Sequence, residues 1–556
     1  MEISRKYRTL PCFLVTVQDV VVVALFVYMR YTNKSHGDDV SVMMFSWVNL
    51  LLTGYFLLRL LFQLGGLIVK NLVLLAVETG TCYESFISLL QIIGVVRSNN
   101  YLFSCTGTFE NPGPLGGFLA IGLCISMAEI FLIKRQIESK PASILNRIIL
   151  GISYLTVILC AIILPSTQSR AAWLSIMVSV FFYCLKMPKT LVWLKAHWLV
   201  AITCVIILLS FVFIFKRPSA NGRLFAYKME LKSIKKNGFN GVGMGHFSNA
   251  YGITQREYFS RNISIRDGEL RYIESDRERV CADNPKVGFN DYLQFGIEFG
   301  VGPLILMLSL FVLILYRLSR LHSPFYYGMV SMMVFAFFSY PLSLWEFLVL
   351  FLVFAAIAGC KSDKSGFSKA DSLLFVFSCL IPIAVFHKSA VTVRMLYETE
   401  IKWKRQRAIF DSGDYRSYEY CCSQLYPDLQ CNCAFLYEYA YSLFENGNIV
   451  ESEKILRQSL ALSGNSLSII LMGDIHKKQG LIAEAEQDYF NSFLALPDRI
   501  YPLYKLAVLY YDSHQDEKYQ NMVRSIEEFH PRIESKSTNE IRELLKSHRY
   551  GDEKTM

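Results

Sequence analysis

Phe211-Val212-Phe213-Ile214-Phe215-Lys216-Arg217-Pro218 ends one apolar run, and Val287-Gly288-Phe289-Asn290-Asp291-Tyr292-Leu293 opens the next. Between them lies a polar interruption, 216–286, with fourteen Lys/Arg against eight Asp/Glu. On either side the chain is built of membrane-length apolar stretches. A basic segment lodged between hydrophobic helices is suited to an anionic substrate that cannot leave the bilayer.

The bulk composition agrees with this. The 556 residues are 53% hydrophobic and only 19% charged, with mean hydropathy +0.32, too apolar for a soluble chain of this size. The apolar surplus fills 1–390, whereas 391–556 holds twenty basic and twenty-five acidic side chains. The net charge of +9 therefore belongs to the membrane part. Its basic residues sit at helix ends and in one loop, not on a contiguous soluble face, which excludes a nucleic-acid partner.

A membrane-crossing helix needs about 20 mainly apolar residues. Candidate spans run near 10–30, 41–62, 70–96, 113–133, 147–165, 171–186, 196–215, 287–316, 325–340, 342–359 and 371–390, about eleven in all. The expected fold is an all-α polytopic bundle (domain 1–390), followed by a helical repeat domain (391–556). Arg5-Lys6-Tyr7-Arg8 precedes the first span, no small-residue cleavage site follows it, and it reads as an uncleaved anchor. Lys and Arg alternate between successive short connections, which places the N-terminus in the cytoplasm. An odd span count puts the 216–286 loop and the tail on the opposite side.

In the tail, Tyr439-Ala440-Tyr441 through Glu445-Asn446-Gly447-Asn448 recurs as Met472-Gly473-Asp474 through Lys478-Gln479-Gly480-Leu481, with a weaker third unit around Leu506-Ala507-Val508. This resembles tetratricopeptide repeats, helix pairs stacked into an α-solenoid. They offer either a groove for a protein partner or a cap over the membrane domain. Cys421, Cys422, Cys431 and Cys433 match no standard zinc spacing and read as structural or disulfide cysteines.

Four polar places carry candidate chemistry. Ser169-Arg170 lies between two apolar spans. Asn221-Gly222-Arg223 opens an amphipathic helix whose apolar face is Leu224, Tyr227, Leu231 and Ile234. Gly241-Val242-Gly243-Met244-Gly245-His246 is a glycine-rich turn whose N–H groups can approach phosphate. Asn290, Gln294 and Glu298 form a polar stripe on an entering membrane helix, facing a cavity or a partner helix. Arg170, Arg223 and neighbouring bases, Lys216 and Arg217 among them, can hold a diphosphate bidentately and neutralise a departing phosphate. No Asp-x-Asp or comparable pair suits a divalent cation, so metal-independent transfer without a cofactor is expected.

These motifs, in this order between spans, resemble the O-antigen ligase/polymerase superfamily over roughly 70–360. They comprise Gln91 ahead of Gly107-Thr108-Phe109-Glu110-Asn111-Pro112, then Ser169-Arg170, Asn221-Gly222-Arg223 leading to Gly241–Gly245, Asn290-Asp291-Tyr292-Leu293, and Glu298-Phe299-Gly300. The resemblance implies a bacterial inner-membrane glycosyltransferase that takes a glycan from undecaprenyl diphosphate, with the large loop and the tail periplasmic. Its acceptor would be lipid A core, another glycan chain or a protein. The resemblance further implies that Arg170 and Arg223 bind the donor diphosphate, with Ser169, Asn111 and Gln91 beside them. It places a histidine base immediately before Asn290. Here Phe289 stands in that place, and Phe cannot accept a proton. His246, alone among the loop residues in being a histidine, is the expected substitute, with Asp283, Asp291 and Glu298 as alternatives. Phe289 also favours a competing class, a non-catalytic glycan-lipid transporter or assembly scaffold.

Overall fold

The computed structural model describes residues 16–34, 39–138, 143–187, 217–272, 278–360, 369–532 and 534–553, together with positions 192, 196, 197 and 203. Lys216, residues 1–15 and nearly all of the expected span 196–215 lie outside the described residues. Among the described residues the secondary structure is helical apart from one hairpin, β1 (Ser264–Arg266) and β2 (Glu269–Arg271).

The membrane part comprises α1 (Val17–Lys34), α2 (Asp39–Ile92), α3 (Pro112–Ile137), α4 (Ile144–Thr167) and α5 (Arg170–Leu185) before the loop. After the loop come α8 (Asp291–Phe299), α9 (Val301–Arg320), α10 (Phe325–Phe338) and α11 (Trp345–Gly359). Among the described residues four helical stretches, Ser46–Ile92, Pro112–Ile137, Ile144–Thr167 and Val301–Arg320, are long and apolar enough to cross a bilayer, and three shorter apolar helices accompany them. The protein is a multi-pass membrane protein. The two spans expected at 41–62 and 70–96 are the two limbs of α2, which meet at Gly66 in a left-handed conformation (φ 55°). A Pro341–Ser343 3₁₀ turn separates α10 from α11.

The expected span 287–316 is broken. Gly300 (φ 86°) ends α8 and starts α9, because its backbone meets the Phe239 carbonyl, where a side chain would clash. α3 is central, packing on α2, α4, α5 and α10. A buried ion pair, Arg59–Asp19, joins α2 to α1. Tyr55 donates to Asp19 (2.7 Å), and Gln18 and Arg59 donate to the Ala355 and Gly359 carbonyls of α11 (2.7 and 3.1 Å). Such a pair is tolerated in an apolar bundle because both charges are hydrogen-bonded.

The loop folds into α6 (Arg217–Asn237), α7 (Phe247–Phe259) and the hairpin. α6 buries a different face from the one expected: Phe225, Ala226, Met229 and Glu230 are buried, while Leu224 and Leu231 are more than half exposed. The reason is tertiary, since Phe225 stacks on Phe259 of α7 (5.7 Å), and α7 in turn packs on the repeats.

α12 (Lys369–Asp411) runs unbroken from the last expected span into the tail, so the division at 390/391 falls inside a helix. There follow α13 (Tyr415–Leu429) and three helix pairs: α14 (Cys433–Glu445) with α15 (Ile449–Leu462), α16 (Ser466–Lys478) with α17 (Ile482–Ala495), and α18 (Tyr501–Asp512) with α19 (Asp516–Glu528). α20 (Lys536–Glu553) closes the stack. Gly447 and Gly480 take positive φ (87° and 81°) at the expected turns. Among the described residues no disulfide joins Cys421, Cys422, Cys431 or Cys433, which corrects the disulfide part of the expectation; Cys422 fills core.

The loop and repeats share one hydrophobic core, in which Phe247, Tyr251 and Phe259 meet Tyr489, Phe493 and Phe529. Gln255 donates to the Ala495 carbonyl (2.6 Å), Asn249 to the Ala461 carbonyl (3.0 Å), and the Leu270 N–H to Ser525 (3.0 Å). Gly268 (φ 79°) lies so close to α19 that a Cβ there would fall 2.2 Å from the Lys518 carbonyl oxygen. Gly268→Val is therefore expected to cost about 2 kcal/mol or more. Limited proteolysis should then cut within 264–271 while the membrane helices stay protected; unchanged resistance would contradict the docking.

Candidate functional site

Three helices begin at one place. Asn111 caps α3 by accepting from the Gly113 N–H (2.8 Å), Ser169 caps α5 by accepting from Ala172 (3.4 Å), and Asn290 caps α8 by accepting from Tyr292 and Leu293 (3.0 and 3.1 Å). Asn and Ser suit these positions because a short side-chain oxygen reaches the free N–H groups of a first helical turn. The Ser169 hydroxyl also donates to the Gly113 carbonyl (3.4 Å), which fixes the start of α5 against α3. Asn111, Ser169 and Asn290 were expected to meet substrate or assist catalysis. Their side-chain oxygens are instead spent on capping. Gln91 is likewise committed: its Oε1 accepts from Thr106 and Gly107 (both 2.8 Å) and its Nε2 donates to Gly107 (2.8 Å). With Glu84, which accepts from Thr108 (2.6 Å), it pins the segment leading into α3.

Among these helix starts sit two arginines. Arg170 is the first residue of α5 and lies within electrostatic reach of Arg223. On α6, Arg223, Tyr227 and Glu230 are spaced four and three residues apart and so share one face. The Arg223 guanidinium lies 5.6 Å from the centre of the Phe289 ring, close enough for a cation–π contact. Tyr227 donates to the Phe289 and Phe337 carbonyls (3.3 and 3.2 Å). Tyr340 packs edge-on against Phe289 at 6.1 Å and is in electrostatic reach of both Arg223 and Glu110. Burial pulls the Arg223 guanidinium below its ordinary value, but a guanidinium stays charged in proteins. Phe289 thus supplies a ring platform for Arg223 rather than a base. The Arg217 side chain is not among those described.

The glycine-rich turn does not cradle phosphate. Its Val242 and Gly243 N–H groups donate to the Ile297 and Glu298 carbonyls (3.0 and 2.9 Å), and that of Gly245 to Glu298 Oε1 (3.3 Å). A Cβ on Gly241 would sit 2.4 Å from the Glu298 carbonyl oxygen. The glycines let the turn clamp the end of α8. Gln294 takes part in the same clamp, accepting from the Gly288 N–H (2.8 Å). His246 precedes α7 with Nδ1 3.1 Å from the Met244 carbonyl oxygen.

On the other side of α8 a cavity of about 760 Å³ opens between α1, α2, α9 and α11. Its walls are mostly apolar. Asp291, Gln294, Glu298 and Lys286 line it, as do Met244 and Gly245, whereas His246 does not.

Sequence reasoning passed over Glu230. It is completely buried, and a Cβ on Gly288 would lie 3.1 Å from its Oε1. Burial pushes its carboxyl up to about 8, the Phe289 backbone N–H opposing this; Tyr227 and Tyr251 are the titratable groups in electrostatic reach. The unfolded chain releases this proton near pH 4.5 and the folded chain only near 8. Its contribution is fully present below pH 4.5 and is lost on rising to 8, at about 1.4 kcal/mol per pH unit. Glu230→Gln should abolish that slope. Thermal melts of the detergent-solubilised wild type and variant should therefore diverge from pH 5 to pH 8, with the variant the more stable at pH 8. Parallel curves would mean that Glu230 is ionised in the fold.

Residues 155–267 match the family model described as O-antigen ligase, Wzy_C. No curated protein matches the chain. The matched stretch runs from within α4 through the turn of the hairpin. It contains Arg170 and Arg223 and ends before Phe289. It supports placement in the O-antigen ligase/polymerase superfamily of membrane enzymes.

Proposed function

We propose that the protein is a bacterial inner-membrane glycosyltransferase that moves a glycan from undecaprenyl diphosphate to an acceptor hydroxyl, with the loop and repeats periplasmic. One observation carries the reading: Arg170 and Arg223, distant in sequence, lie within electrostatic reach of each other, one at the start of α5 and the other over the residue before the cap of α8. Helix N-termini carry partial positive potential, and two guanidiniums there form a site for a diphosphate. The acceptor oxygen attacks the anomeric carbon, the bond from that carbon to the diphosphate oxygen breaks, and the lipid diphosphate departs with its charge held by the arginines. The arginines supply the stabilisation that matters most in such a transfer, because it acts where negative charge grows.

The acceptor hydroxyl gives its proton to a neighbouring base. The acid-lined end of the cavity repels a diphosphate and suits a neutral hydroxyl, so Glu298 and Asp291 are better placed than His246 to take that proton. Asp291 accepts a short bond from the Leu342 N–H (2.7 Å), whereas Glu298 accepts longer ones from the Gly245 N–H (3.3 Å) and Gln294 (3.5 Å) and is the less tightly held. Lipid A core, a second glycan chain and a protein hydroxyl are all chemically competent acceptors; the first two correspond to ligase and polymerase activity, the third to protein O-glycosylation.

Arg170→Ala and Arg223→Ala should each lower transfer about 10²-fold or more, with normal membrane insertion. Lysine at either place should restore only part, since it lacks the planar fork. Transfer assayed with lipid-linked glycan in detergent decides this, and full activity in both alanine variants sinks the site. For the base, Glu298→Gln should slow transfer about 10²-fold or more, while His246→Ala changes the rate and its acidic limb little. The reverse ranking would restore His246.

A further inference from the structure

The loop covers only half of the repeat stack. α7 and the hairpin pack on the second helix of each pair, α15, α17 and α19. The first helices, α14, α16 and α18, stack on one another, and α14 and α18 carry tyrosines that the transfer chemistry does not use. Tyr437 (α14) is within electrostatic reach of Asp474 (α16), Tyr501 (α18) and Tyr415. Its ring lies 6.2 Å from that of Tyr441, which lies 5.4 Å from that of Tyr415. On the next pair, Lys505 bonds Asp474 (2.7 Å) and stands 6.0 Å from the Tyr501 ring. Tyr501 is 42% exposed. The first and third helix pairs therefore present tyrosine rings on either side of one ion pair, formed by Asp474 of the second pair and Lys505 of the third.

That chemistry selects its ligand. A charged peptide would need an unpaired opposite charge, and Asp474 and Lys505 satisfy each other. A hydrophobic helix would need apolar pockets, and these rings end in hydroxyls. Rigid aromatic faces ending in hydroxyls fit a neutral polyhydroxylated chain, whose C–H faces stack on rings while its hydroxyls bond the tyrosine hydroxyls. The face also connects with the arginine pair. Lys404 on α12 is in electrostatic reach of Glu110, Glu110 of Tyr340, and Tyr340 of Arg223. Two turns further along α12, the Phe410 ring meets both Tyr415 and Tyr441 (5.7 Å each).

We infer that the first-helix face of the repeats is a carbohydrate-binding site that holds the glycan chain at a distance from its reacting end. The inference rests on the transferase reading for what the glycan is doing there, and the site would favour long chains over short ones. A long glycan reaches the tyrosines while its end lies at the arginines; a short one does not.

The test uses the full-length protein in detergent and fluorescently labelled oligosaccharides, released by mild acid from source-cell membranes and fractionated by length. Long fractions should bind more tightly than short ones. Tyr437→Ala and Tyr501→Ala should each weaken that binding about fivefold, and the double variant about twentyfold, while Tyr501→Phe stays within about twofold of wild type. Tyr501 is exposed, so its variants keep the fold, as matching thermal melts would record. Arg223→Ala should leave oligosaccharide binding unchanged, which separates this site from the diphosphate site: loss of transfer with retained binding supports both. Equal binding by wild type and the double variant, no dependence on length, or tyrosine-dependent binding of a peptide array without oligosaccharide binding would each overturn the inference.

Discussion

Three helices that must start at the same point impose the main constraint on this molecule. The first turn of any helix has N–H groups without intrahelical partners, and here α3 and α5 begin against each other while α8 begins beside the ring on which Arg223 rests. Asn111, Ser169 and Asn290 resolve the problem locally by capping. Capping fixes where each helix begins and leaves their dipoles pointing at a common region. Arg170 is placed by that geometry, as the residue after a cap. Arg223 comes from the loop and rests on Phe289, the residue before another cap. Two like charges held close together repel, so the arrangement is most stable with an anion between them.

The loop that brings Arg223 is not held by the membrane domain alone. Its aromatic residues are buried against the repeats, and its glycine-rich turn is hydrogen-bonded to the end of α8. The repeats thereby act as a cap that fixes the loop, and α12 ties that cap to the bundle without a linker. Displacing the tail would leave α7, on which α6 packs, without its partners in the repeats, and would loosen the loop that carries Arg223. A tail that looks accessory in sequence is in this sense part of the site, and its uncovered first-helix face remains available for a ligand.

Much of this was legible in the sequence because membrane solvation is a strong and local constraint. Apolar runs of the right length have few alternatives to helices, so the bundle, the interruption at 216–286 and the helix pairs of the tail could be read directly. Arg170 and Arg223 stood out because charge next to lipid is costly. Residues whose chemistry is common were harder to place. Asn290, Ser169, Asn111 and Gln91 have side chains that either cap and brace helices or contact substrate, and residue type alone does not distinguish the two. The apolar face of α6 was misplaced by about a third of a turn because the periodicity of a helix does not reveal what packs on it. Glu230 gave no signal at all, since a single glutamate on a basic helix looks solvated until its burial is known.

The sequence by itself determined the class: a multi-pass helical protein with a basic insertion and a repeat tail, because hydrophobicity and repeat period are properties of the chain. Only the tertiary structure decided which polar residues face one another. It turned the glycine-rich turn from a phosphate cradle into a clamp, broke the span after the loop at Gly300, and made Phe289 a platform for Arg223. Those outcomes depend on contacts between segments distant in the chain, and no local pattern encodes such contacts.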